Sequence, residues 1–82
     1  MTTTASATTG ANVRAEMARR GLSQTALAGH LGLSQTAVSA RLRGLTPFDI
    51  NELVLTAEVL GVPLGVLLEG VAGAGVSGVA AS

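Results

Sequence analysis

The chain has 82 residues with five basic and five acidic side chains, a formal net charge of zero, so it is neither a strongly basic scaffold nor an acidic tail. It contains no cysteine, which excludes a disulfide framework, a thiolate zinc site and a cysteine nucleophile. The hydrophobic share of 48% against 12% charged residues argues for a packed core, and an aromatic share of 1% means that Leu, Val and Ala must fill it. Helices packed through leucine suit that supply.

Taken in chain order, residues 1–10 carry no charge and little to bury, and they read as a flexible N-terminal arm. They lack the basic start and apolar run of a secretory signal, so a cytoplasmic, reducing setting is expected. The folded unit is expected over residues 11–69. The closing stretch, residues 70–82, is too rich in glycine and small side chains for a stable helix and reads as a mobile Gly/Ala-rich tail. The longest apolar stretch, Leu53 to Leu68, is broken by Thr56, Glu58, Gly61 and Pro63, so no membrane span is expected.

Within the unit one start signal is used three times: an apolar residue, a capping side chain, and a second apolar residue five positions after the first. The instances are Leu22-Ser23 with Leu27, Leu33-Ser34 with Val38, and Phe48-Asp49 with Leu53. Each predicts a cap oxygen accepting an orphaned backbone N–H and an apolar staple setting the entry angle, and Glu52 adds a capping-box partner for Asp49. Gly21, Gly32, Gly44 and Gly61 supply the stops. The pattern predicts helices over residues 12–20, 24–31, 35–43, 50–60 and 63–68, with Pro63 suited to the first turn of the last. Short helices on short loops imply a compact all-α domain of five helices.

The segment Leu22-Ser23-Gln24-Thr25-Ala26 recurs as Leu33-Ser34-Gln35-Thr36-Ala37. The two copies read as two helices joined by a tight turn at Gly32-Leu33-Ser34, with Leu27, Ala28 and Leu31 facing Val38 and Leu42 and with Leu33 plugging the gap. That arrangement is a helix-turn-helix.

At these residues the chain resembles the phage-repressor/Cro-like (Xre-type) helix-turn-helix domains over about residues 12–70. The resemblance rests on Leu22-Ser23-Gln24, Leu27-Ala28, Leu31-Gly32-Leu33-Ser34-Gln35, Val38-Ser39, Gly44 and Leu60-Gly61-Val62-Pro63 with Leu67-Leu68. The run from Ser39 to Gly44 with Pro47-Phe48-Asp49 looks like a subgroup common in actinobacteria and their phages. The resemblance implies a lambda-repressor-like fold and a sequence-specific DNA-binding regulator, a repressor or Cro-like protein of phage or prophage type. It implies base reading at Gln35, Thr36, Ser39 and Ala40, and a phosphate held by Gln24 with the N–H groups opening the second helix. It also implies dimerisation through the C-terminal helix. Where many members bury an Arg–Glu pair, this chain has Met17 and Leu42, which can pack as an apolar pair without desolvating two charges.

The residues themselves support DNA as partner. All five arginines precede Gly44, and no carboxylate lies between Met17 and Phe48 to repel phosphate. At about 100° per residue, Gln35, Thr36, Ser39 and Arg43 cluster on a face of the third helix away from Val38 and Leu42. Glutamine can pair with adenine, Arg43 with guanine or a phosphate, Thr36 with a thymine methyl, and Ser39 with either base type, while Ala40 offers a methyl contact. Arg14, Arg19, Arg20, Ser23, Thr25 and Ser34 are candidate phosphate contacts. The bland readings are a solvated face for the third helix and ordinary solvated charges for the first-helix arginines. Arg41 points elsewhere, and is expected to lay its stem on the core edge and pair with an acid such as Glu16 or Glu52.

Catalysis finds no support in the sequence. His30 is the only histidine and is expected on the exposed side of the second helix, and Ser23 and Ser34 read as caps rather than nucleophiles. No cofactor is expected. The rival to a DNA-binding regulator is a protein-interaction module on the same scaffold, an antitoxin or regulatory partner, favoured by the neutral charge and the apolar last helix. The loop Leu45-Thr46-Pro47-Phe48 adds no cation, so binding should weaken with salt by only a few phosphate equivalents.

Overall fold

Capping side chains set where the helices begin. Ser23 and Ser34 lie in extended backbone, and their hydroxyls accept the N–H of Ala26 and of Ala37, both at 3.0 Å. The Asp49 carboxylate accepts the Glu52 N–H at 2.7 Å while the Glu52 carboxylate accepts the Asp49 N–H at 3.1 Å, the reciprocal capping box. The computed structural model describes residues 4–71, and there these signals open Gln24–Leu31 (α2), Gln35–Leu42 (α3) and Ile50–Leu60 (α4). Ala5–Arg20 (α1) precedes them and Leu64–Leu67 (α5) closes the array; no strand occurs among the described residues. Pro63 stands at the cap position just before α5 rather than inside its first turn.

The stops work as the glycine spacing predicts. Gly32 takes φ 67°, and the Leu33 N–H then reaches back to the Ala28 carbonyl at 3.0 Å, closing α2 and dropping Leu33 against the core. The end of α3 differs by one residue from its expected limit: Arg43 is its cap, and Gly44 at φ 78° makes the turn, with the Leu45 N–H donating to Ala40 at 2.9 Å.

The N-terminal segment corrects the sequence reading. Residues 4–10 belong to the folded unit and not to an arm, because α1 starts at Ala5 and is capped by Thr4, whose hydroxyl accepts the Ala7 N–H at 3.0 Å. Small side chains, which made the segment look unable to pack, let its backbone pack instead. A Cβ on Gly10 would lie 2.5 Å from the Leu42 carbonyl oxygen and 2.7 Å from that of Arg41. A Cβ on Gly44 would lie 2.6 Å from the Ala7 Cα, so both glycines permit α1 to press onto the end of α3. The expected tail lies, beyond residue 71, outside the described residues.

The core draws on four helices and α5. Val13, Leu27, Val38, Leu42 and Leu67 are fully or almost fully buried, and Met17 and Leu42 lie in the same apolar cluster, as expected of the pair that replaces two charges. Each such leucine contributes on the order of 2 kcal/mol through burial. Buried polar atoms are satisfied: Thr56 is fully buried and donates to the Glu52 carbonyl at 2.7 Å. Asn12 ties the ends together, its amide donating to the carbonyls of Leu67 at 3.0 Å and Glu69 at 2.8 Å.

Candidate nucleic-acid interface

The packing of α3 decides which of its faces is free. Val38 and Leu42 are buried against α1 and α2, and this turns Gln35, Thr36 and Arg43 to solvent, with Ser39 and Ala40 half-buried beside them. Gln35 and Thr36 make no side-chain hydrogen bond among the described residues, so their polar atoms are available to a ligand. The Arg43 Nε lies 3.4 Å from the Ser39 carbonyl, a long contact that leaves most of the guanidinium uncommitted.

Arg41 faces away, onto α4. Its Nε and Nη2 donate to the two Glu52 carboxylate oxygens at 2.8 and 3.2 Å, and its Nη1 donates to the Ala37 carbonyl at 3.1 Å. Of the two acids considered for it, Glu52 is the partner. Both side chains are about one-sixth exposed or less, at 16% and 14%, so the fork is largely shielded from water. Glu52 thus holds the α4 cap and α3 at once, fixing the orientation of the polar α3 face.

The start of α2 lies on the surface, with Ser23, Gln24 and Thr25 exposed; the Ser23 and Ser34 hydroxyls are occupied as caps. Its unpaired first-turn N–H groups and helix dipole favour an anion there. Arg14 is exposed on α1 and is engaged in no ion pair among the described residues. Arg19 and Arg20 are exposed too, and both share one acid: Arg20 donates to Glu16 at 2.6 Å, and Arg19 pairs with the other oxygen of the same carboxylate. Glu16 is therefore not the partner of Arg41. Its i, i+3 and i, i+4 spacing to Arg19 and Arg20 was the signal for its actual partners. His30 is exposed at the last turn of α2.

Two helices meeting at a glycine turn, the second presenting a polar outer face, define a helix-turn-helix unit. The family model described as helix-turn-helix matches residues 13–67. The chain belongs to this family, the Xre/Cro-like helix-turn-helix proteins with the lambda-repressor-like fold, and is a DNA-binding regulator in the general sense of that family. Comparison with curated proteins and with solved structures gives no match. No helix among the described residues is long and apolar enough to cross a membrane.

Proposed function

We propose that the chain is a sequence-specific transcriptional regulator of repressor or Cro-like type, of phage or prophage kind, that occupies an operator with α3 in the major groove. The observation that carries this reading is the uncommitted polar face of α3, held by buried Val38 and Leu42 and by the Arg41–Glu52 fork. In this reading Gln35 pairs with adenine and Arg43 with guanine or a phosphate, Thr36 meets a thymine methyl, and Ser39 and Ala40 complete the base contacts. Gln24 and the α2 N-terminus grip a phosphate, with Arg14, Arg19, Arg20, Ser23, Thr25 and Ser34 as further backbone contacts. A homodimer through α5, where Leu64, Val66 and Leu68 are half-buried, would set two α3 helices about 34 Å apart on a pseudo-palindromic site in the cytoplasm.

Selection of bound duplexes from random DNA tests the proposal. A recovered two-fold motif, with affinity falling over a few phosphate equivalents as salt rises, is the expected result. Binding no better to the selected duplexes than to random DNA would overturn it. A second reading, a protein-interaction module on this scaffold, is favoured by four exposed large apolar side chains, Leu45, Ile50, Val54 and Leu55. Loss of DNA selectivity would support it.

A further inference from the structure

Glu16 is the one charged residue among the described residues that is buried, at 7% exposure. Taking a carboxylate out of water is costly unless its oxygens are paired. Here each oxygen takes one guanidinium, Arg19 on Oε2 and Arg20 on Oε1. The pairing is one-sided: the acid side chain is 9% exposed while those of Arg19 and Arg20 are 66% and 39% exposed. The Arg41–Glu52 fork shields both partners nearly equally, as suits a bond that only joins two helices. The Glu16 cluster instead roots two cations in the protein and leaves their remaining N–H groups facing solvent.

A favourable dipole at the α1 C-terminus accounts for arginines there, but not for a buried acid one turn earlier. Arg20 precedes the α2 cap, Ser23, by three residues, so at most about 10 Å of chain separates them. The sequence around this junction, from Met17 to Phe48, contains no other carboxylate. Two guanidiniums and one carboxylate leave a net positive charge, with rotamer freedom already restricted before any ligand arrives.

We propose that Glu16 is a positioning residue that presents Arg19 and Arg20 to the DNA backbone beside the start of α2. This rests on the DNA-binding reading above and adds to it a residue that touches no DNA itself. The arginines span adjacent phosphate oxygens with their free N–H groups, and the buried carboxylate holds them in that pose.

The test is a double-mutant cycle read by anisotropy of a labelled random-sequence duplex at low salt, which needs no knowledge of the operator. Glu16→Gln should weaken binding about three- to tenfold in the otherwise unaltered chain. It should have no effect when Arg19 and Arg20 are both alanine, because its action runs through them. Thermal unfolding of each variant separates a folding defect from a binding one, and Glu16→Asp, which keeps the charge with a shorter reach, should give a smaller loss. Tighter or unchanged binding by Glu16→Gln overturns the proposal, as does an equal loss in both backgrounds. A wild-type chain that binds the duplex while Glu16→Gln matches it overturns only this inference. A wild-type chain that binds no duplex overturns the DNA-binding reading and this inference with it.

Discussion

α2 and α3 begin alike and end differently. Both open on Leu-Ser-Gln-Thr-Ala, and both serine caps adopt the same extended backbone and accept the N–H three residues on, of Ala26 and of Ala37, at 3.0 Å. At the far end of α2 the glycines face open space: a Cβ on Gly29 or on Gly32 would touch nothing within 4 Å. The end of α3 is gripped twice, by the backbone of α1 at Gly10 and by Glu52 through Arg41. Identical local signals therefore open two helices that both pack in the core, and tertiary contacts at its C-terminal end give α3 an additional hold on its orientation. That is the property a helix needs if its outer face is to read a groove, since a reading contact tolerates little misplacement.

The sharpest way to break this contrast is to push α1 away from α3. Gly10→Ala puts a methyl group on two carbonyl oxygens that cannot move without shifting α3, and it should cost about 3 kcal/mol or more in chemical denaturation. The same change at Gly29, in open helix, should stabilise by about 0.5–1 kcal/mol. Equal effects at the two sites would show that the ends of α2 and α3 are held alike.

Removing the second grip should cost somewhat less. Glu52→Ala deletes the Arg41 fork and half of the capping box, and it leaves the half-buried Arg41 with no acid and only its bond to the Ala37 carbonyl. About 2–4 kcal/mol of destabilisation is expected, the lower part of the range reflecting the residual exposure of the pair. A loss under 1 kcal/mol in urea unfolding would mean that α3 is oriented by apolar packing alone.

The smallest effect concerns the shared beginnings. Ser23→Ala and Ser34→Ala should each cost about 1 kcal/mol, and by nearly the same amount, since the two caps have the same geometry. A clear difference in their melting temperatures would show that context already separates α2 from α3 at their first turn.

Local chemistry was legible in the sequence wherever one residue dictates one backbone state. Ser23, Ser34 and Asp49 start helices and Gly32 and Gly61 end them where expected, because a cap oxygen or a left-handed turn acts within a few residues. The start of α1 was not legible. Its Ala/Thr/Ser stretch has no amphipathic stripe, and its stability comes from backbone pressed on α3 at Gly10 and Gly44, a contact that hydrophobic patterning does not register. The polar face of α3 followed from helical periodicity and emerges with Gln35, Thr36 and Arg43 exposed. For Arg41 the periodicity gave the direction, while the choice between Glu16 and Glu52 needed the packing of α4 on the core. The pairing of Arg19 and Arg20 with Glu16 was not legible, because charge counting ignores which acid is buried beneath them.

The proposed division of labour between the two helices is most directly tested by the sequence preference of single variants against a selected duplex and its base-substituted forms. Gln35→Ala and Arg43→Ala should each remove about 1–3 kcal/mol of discrimination at one base position, while Gln24→Ala should weaken binding to every duplex alike. Unchanged discrimination in both α3 variants would contradict the account, since the outer face of α3 would then not be what reads the DNA.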